Sequence, residues 1–433
     1  MLLNLPEVWW LLYIPGWRNK GLCTLRLQKI KQNKRKNEIT KTKMENQMNR
    51  RKWIKASAFL AGGVAFFSGS FNGLAARELS DSIAAGSVDF VTDEQVLQNA
   101  PAEIKARLSA NENPFGPSPK AKKAIMDSID SSYRYSFNAK ELIGKIAAFE
   151  GIDPAMITLS AGSSPFLLAG AMHFTKDNGS IVTGDPSYDA MPASAIAMGG
   201  KVIKVPLTAD YKLDLKAMEK AIEPSTKLVY ICNPNNPTAT LLDTAELKAF
   251  CDRVSAKIPV FVDEAYIDYV KDPQKVTVLD LVKQGKNIIV LRTFSKLYGF
   301  AGLRVGYMIA QPEMVKTLSG YAEGAFSISA LSMQAALASY QDREFMEEVI
   351  AKTQVSKDFL YAALKKEGYD YIPSEANFVM FPIKMDGPKF ALEMGKRGVS
   401  IRHWKFIGKD WCRVSIGTLD EMKTFADAFS QIA

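Results

Sequence analysis

From Asn99 onward, short apolar runs alternate with amphipathic stretches, and that rhythm leaves few folds open to the chain. "MITLSAGSSPFLLAGAMHF" reads as a strand, a small-residue turn and a helix. "GSIVTGDPSYDAMPASAIAMGGKVIKVPL" and "TKLVYICNPNNPTATLLDTAELKAFCDRVS" repeat the pattern, and "IPVFVDEAYIDYV" adds a strand with acids at its end. This alternation predicts an α/β fold, a mostly parallel sheet covered by helices. Ligands of such sheets bind beyond the carboxyl ends of the strands. Asp185, Asn236, Asp263 and Lys296 all stand at predicted strand ends.

After about residue 312 the rhythm changes to long helical stretches, followed by apolar runs around "EANFVMFPI" and "DWCRVSIGT". The expected organisation is a large domain over 131–319 and a smaller α+β domain over 320–433, joined by the segment 77–130. A chain of 433 residues, 47% apolar, can supply a core to each. Cys23, Cys232, Cys251 and Cys412 have no paired or zinc-like spacing, so neither a metal site nor a disulfide scaffold is inferred. Two histidines, His173 and His403, are too few for a His-rich metal site and make a serine-hydrolase triad hard to build.

The net charge of +9 belongs to the leader. Residues 1–55 carry 14 Lys or Arg against 3 Asp or Glu, a surplus of 11 that leaves −2 for the remainder. That balance gives no support to nucleic-acid binding by the body. Within residues 44–76, Arg50 and Arg51 precede a mildly apolar run that closes on small residues near Ala75 and Ala76, the layout of an export signal. Gly62, Gly63, Gly69 and Gly73 interrupt the run, which makes it a poor membrane anchor. The pair followed by Trp53, Ile54 and Lys55 resembles a twin-arginine signal, although Asn49 stands where that family often has Ser or Thr. A periplasmic or envelope location follows if the signal is used, a cytoplasmic one if it is not. Residues 1–43 form a basic leader that fits awkwardly before such a signal, with Met44 or Met48 as alternative starts.

The chemistry turns on "NIIVLRTFSKLYGFAGLRVGYMIA", where Lys296 follows a core strand and Arg304 comes eight residues later. Lys296 is either a surface charge or an amine held at a sheet end for chemistry. A neighbouring arginine would depress its pKa and make it a better nucleophile. "FVDEAY" places Asp263 directly after three apolar residues. A buried acid there needs a cationic partner, either a protonated pyridine nitrogen or a structural arginine. The turn Ser160 to Ser164 opens a helix whose free N–H groups could hold a phosphate. Lysine, acid and anion-binding turn together point to pyridoxal phosphate.

The stretches "ANENPFGPSP", "YRY", "DPSY", "NPNNPT", "VDEAY", "TFSKLYGFAGLRVGY", "EANFVMF" and "CRVSIGT" run in order across about residues 105–420. By them the sequence resembles the fold-type I pyridoxal-phosphate aminotransferases, and within these the histidinol-phosphate aminotransferase family. The resemblance implies a seven-stranded-type sheet in the large domain and a homodimer acting on amino acids and 2-oxo acids in two half-reactions. Lys296 would bond to the cofactor aldehyde and then move the substrate proton, and Asp263 would hold the ring nitrogen protonated. Tyr266 and Asn236 would bind the phenolic oxygen, and Tyr188 would stack on the ring. Gly162, Ser163, Ser295 and Arg304 would surround the phosphate, with Tyr135 reaching it from the partner subunit. Arg413 would bind the acidic group of the substrate, Arg402 would assist at a phosphate-bearing side chain, and Asn113 would border the entrance.

Two positions depart from the family pattern. Ala239 stands where Gly is usual, and "YRYSFN" lacks the Pro and acid that normally follow the tyrosine. A carbon–sulfur lyase, racemase or decarboxylase would use the same lysine and aspartate, and a non-catalytic binding protein could retain the fold.

Overall fold

The computed structural model describes residues 103–433. The Arg50–Arg51 pair and the whole of residues 44–76 lie outside them. Twelve strands appear in chain order: β1 (Ala106–Arg107), β2 (Ile157–Ser160), β3 (Ser180–Asp185), β4 (Lys201–Pro206), β5 (Thr226–Cys232), β6 (Val260–Asp263), β7 (Ile288–Thr293), β8 (Gly306–Ile309), β9 (Phe378–Ile383), β10 (Val399–Ser400), β11 (Arg402–Phe406) and β12 (Lys409–Ser415).

Seven strands form the main sheet in the order β2-β8-β7-β6-β5-β3-β4. β3, β4, β5, β6 and β7 pair in parallel, while β8 runs antiparallel between β7 and β2. Both faces are covered, as the unbroken apolar strands require. On β5, Val229 and Ile231 enter one core with Val260, Val262 and Val290. Leu228, Tyr230 and Cys232 enter the other with Phe166, Phe261 and Leu291. The period of two thus sends alternate residues of one strand into two different cores. The expected α/β fold with a mostly parallel sheet is the fold observed.

The smaller domain holds the antiparallel sheet β11-β12-β9 and a third core that includes Val379, Phe381, Val414, Phe425 and Phe429. β1 pairs in parallel with β10, and Ala106 and Leu108 join this core, so the segment before the large domain is stitched into the small one. The transition between domains differs from the expected break at 319/320. The Ala330–Ser339 helix buries Met333, Ala335, Ala336 and Leu337 in the large-domain core with Ala121 and Ile146. Its small apolar face lets it pack closely on the Pro119–Ser128 helix. The 24-residue Arg343–Lys366 helix follows and buries Leu360 and Leu364 in the small-domain core. Among the described residues no helix is long and apolar enough to cross a membrane.

Candidate active site

A cavity opens beyond the carboxyl ends of the parallel strands, where the α/β rule expects it. Its lining includes Ser163, Tyr188, Asn236, Asp263, Tyr266, Ser295, Lys296, Arg304, Arg402 and Arg413. Ten side chains singled out from separate parts of the sequence therefore share one space.

Lys296 follows β7 by three residues. Its Nζ donates to the carbonyl of Asn111 at 3.1 Å and, more weakly, to that of Ala110 at 3.4 Å. Burial lowers the amine to a pKa of about 7, the Arg413 and Arg304 charges push the same way, and Glu112 opposes them. The sequence-level expectation named Arg304 alone; burial and Arg413 are the larger causes. The consequence is an amine neutral enough to attack a carbonyl near neutral pH.

Asp263 ends β6 and is 1% exposed. Burial pushes its carboxyl up to about 6, against the N–H of Ala265, the Tyr230 hydroxyl and Lys296. The arginine of the structural alternative, Arg292, is instead bound to Glu150 and Glu264. Asp263 is thus a buried acid with no cation in hydrogen-bond contact among the described residues, an environment that fits the pyridinium nitrogen of the cofactor.

Tyr266 follows β6 by three residues; its hydroxyl accepts from Asn111 Nδ2 at 3.0 Å and lies 3.4 Å from Asn236 Nδ2. Burial raises its phenol pKa, and Arg413 works against that rise. Tyr188, half-buried in the same lining, is pushed up to about 12 by burial and the Asp263 charge. Arg413, on β12, donates to Asn236 Oδ1 at 2.7 Å and to the carbonyl of Ser109 at 2.6 Å. Its guanidinium lies 4.6 Å from the Trp404 ring centre, and its buried Nε has no hydrogen-bond partner. With both terminal nitrogens anchored, the guanidinium is held in place as a fixed positive charge in the cavity lining.

At one edge the Ser164–Thr175 helix begins at the cavity lining: Ser163 caps it without a side-chain bond, Pro165 has no N–H and Phe166 N is spent on the Ser163 carbonyl, which leaves the N–H groups of Ser163 and Ser164 to offer an anion. Arg304 donates to Ser295 Oγ at 3.1 Å. Gly162 takes φ +81°, and a Cβ there would collide with the Arg304 guanidinium, so only glycine permits this approach. Helix N-terminus, hydroxyls and arginine form a cradle that fits a phosphate. The residues present therefore fit pyridoxal phosphate at all three of its ends.

One expected site residue lies elsewhere. Asn113 is buried outside the cavity lining; its amide donates to the Leu297 carbonyl at 2.8 Å and accepts from Phe115 N at 2.9 Å. Its neighbours Asn111 and Glu112 line the cavity instead, because Asn111 adopts φ +53° and turns its side chain to Tyr266. Asparagine visits the left-handed region more readily than most residues, and that was the available signal. Tyr135, expected to reach the site of a partner subunit, is 78% exposed and does not line the cavity of its own chain. Sequence reasoning also passed over Thr183, Asp189 and Lys204, which line the wall around Tyr188. Ala239 holds the left-handed conformation, φ +59°, with its methyl buried beside Tyr266 and Phe378, so the backbone keeps the turn that a glycine would make.

The class I and II aminotransferase family model matches residues 103–429. The chain is 36% identical to a histidinol-phosphate aminotransferase of Moorella thermoacetica over 342 residues, covering 78% of this chain and 88% of that one. It is 36% identical to an aromatic amino acid aminotransferase of Rhodococcus erythropolis over 333 residues, 76% of this chain and 90% of that one. The structure of a histidinol-phosphate aminotransferase from Sinorhizobium meliloti in complex with pyridoxal-5'-phosphate superposes with a TM-score of 0.73 at 25% identity, covering 80% and 96%. With the lysine, the acid and the phosphate cradle in one cavity, the conclusion is direct: the chain belongs to the class I and II aminotransferases, enzymes that use pyridoxal phosphate to transfer amino groups.

Proposed function

We propose that this aminotransferase takes an anionic amino donor, passes its amino group to a 2-oxo acid in two half-reactions, and works as a homodimer. The observation that carries the donor class is Arg413, a buried cation fixed by Asn236 and Ser109 in the cavity lining. Arg402 lines the same cavity and adds a second positive charge on that side. Histidinol phosphate, named for the Moorella relative, is the leading donor, and aromatic amino acids, named for the Rhodococcus relative, are the competing set.

Bound pyridoxal phosphate supplies an aldehyde for amine exchange and a ring that accepts the electrons left at the donor's Cα. The protein's own groups do the rest. Lys296 Nζ, with a pKa lowered to about 7, would hold the cofactor and take the Cα proton of the donor. Asp263 would keep the ring nitrogen protonated by charge pairing in a dry site. Tyr266 and Asn236 would hold the phenolic oxygen, and Tyr188 would lie at the ring. Gly162, Ser163, Ser295 and Arg304 would hold the phosphate.

Tyr133, Tyr135 and Phe137 are each more than three-quarters exposed, and Phe137 meets the 70%-exposed Phe326 edge-on at 6.4 Å. Large aromatics gathered at one exposed place support an interface with a second copy, from which Tyr135 reaches the partner's phosphate. The Arg50–Arg51 pair supports export to the periplasm, by a route that admits folded, cofactor-loaded protein.

The test is the absorbance of the full-length enzyme on adding single amino donors, then 2-oxoglutarate. Histidinol phosphate should bleach the long-wavelength band of the lysine-bound cofactor, and the oxo acid should restore it. A band converted only by aromatic amino acids would replace the proposed donor. Conversion without restoration by any oxo acid would replace transamination itself with lyase or decarboxylase chemistry. Lys296→Ala should show no such band.

A further inference from the structure

Tyr230 lies inside β5, fully buried, and is absent from the cavity lining. Strand register sets its place. It pairs with Thr183 on β3 and Phe261 on β6, and Cys232, two residues on, pairs with Asp263. The period of two therefore puts Tyr230 and Asp263 on one face of the sheet. The phenol ring packs among Phe166, Leu228 and Phe261, and only its hydroxyl is polar. That hydroxyl donates to Asp263 Oδ2 at 3.1 Å, while Oδ1 accepts the Ala265 N–H at 3.1 Å. An ionised carboxylate has about four lone-pair sites. Two are filled from behind by the protein, and the others face the cavity.

We infer that Tyr230 is a positioning residue for Asp263: its hydroxyl fixes the rotation of the carboxylate and keeps it ionised against the cofactor's ring nitrogen. The inference rests on the assignment of Asp263 to that nitrogen. Burial favours the neutral acid, and a donor to the charged form is the counterweight. The other titratable groups around Asp263 are Lys296, Glu264, Cys232 and Tyr188. Glu264 is bound to Arg292 and Thr277, and the Cys232 thiol is turned to the Pro234 carbonyl. Tyr230 and Ala265 are thus the donors that hold the acid in place. Without the phenol hydroxyl the carboxylate becomes more basic, retains a proton more readily and turns more freely. The ring nitrogen is then less protonated.

Full-length Tyr230→Phe removes one oxygen and leaves the ring to pack as before. Cofactor-free wild type and variant are titrated spectrally with pyridoxal phosphate and with an analogue carrying carbon in place of the ring nitrogen. Loss of a charge-assisted hydrogen bond should weaken binding of pyridoxal phosphate about tenfold and leave the carbon analogue unaffected. Fluorotyrosine at position 230, a stronger donor of nearly the same shape, should move the affinity for pyridoxal phosphate the other way and keeps the test open if the Phe variant misfolds. Equal loss for both ligands would make Tyr230 a packing residue and overturn the inference, as would no loss for either. Wild type that binds the two ligands equally well would sink the assignment of Asp263 itself, an outcome distinct from any behaviour of the variants.

Discussion

At the scale of single residues, the site is tuned by what surrounds each charge. Lys296 must be neutral to attack an aldehyde, and its pKa of about 7 in the cofactor-free protein places that condition inside the ordinary pH range. The sign is fixed by the base: below the pKa the amine is protonated and inert, above it free. The rate at which cofactor-free protein captures pyridoxal phosphate should therefore rise with pH through about 7 and level off. Arg413 is itself lowered, to about 10, chiefly by burial, and stays charged across that window. Its charge depresses the amine, so Arg413→Gln should move the capture midpoint to higher pH; stopped-flow absorbance gives both curves, and an unmoved midpoint would refute the coupling. Asp263 was legible in the sequence because a charge directly after an apolar run is costly unless it is used, and Lys296 because the stretch "TFSKLYGFAGLRVGY" carries the family resemblance. Tyr230 was not, because a tyrosine within a strand reads as core, and its hydroxyl acquires meaning only from the register that brings it to Asp263.

At the scale of elements, the two loops that bear Asp263 and Lys296 are braced from beneath by one buried arginine. Arg292, on β7, donates to Glu150 at the end of the Ala139–Glu150 helix, to Glu264 after β6, and to Thr277. The contact with Glu150 is 2.6 Å and both side chains are almost fully buried. Asp268 adds a third acid nearby, its carboxyl pushed up to about 6 by burial despite the pull of Arg292. Removing the one cation leaves two buried carboxylates uncompensated, so Arg292→Met should cost about 3–5 kcal/mol. Urea unfolding of the cofactor-free protein would measure it, and a loss of under about 1 kcal/mol would show that the network is replaceable by packing. The alternation of strands and helices was readable because each parallel strand is a continuous apolar run. The antiparallel direction of β8 was not, since direction leaves no mark on four apolar residues. Nor was the β1–β10 pair, whose two-residue strands are too short to show a period.

At the scale of the whole molecule, the cavity carries nearly everything the chemistry asks for, yet the aromatic side chains of Tyr133, Tyr135 and Phe137 are exposed and do not line it. In a two-fold dimer the same patch meets itself, and each subunit can lend a residue to the other's site. Phe326→Glu should then convert a sedimenting dimer to monomer, since a charge would be buried at the contact. Whether Tyr135 crosses over is decided by mixing. Tyr135→Ala and Lys296→Ala are each expected to be nearly inactive alone. In a mixed dimer, one cavity takes Lys296 from the first chain and Tyr135 from the second and is complete, while the other lacks both. Equal mixing with subunit exchange makes half of the dimers mixed, so about a quarter of wild-type activity should return. If Tyr135 served its own chain, every cavity in the mixed dimer would lack one group and no activity would reappear.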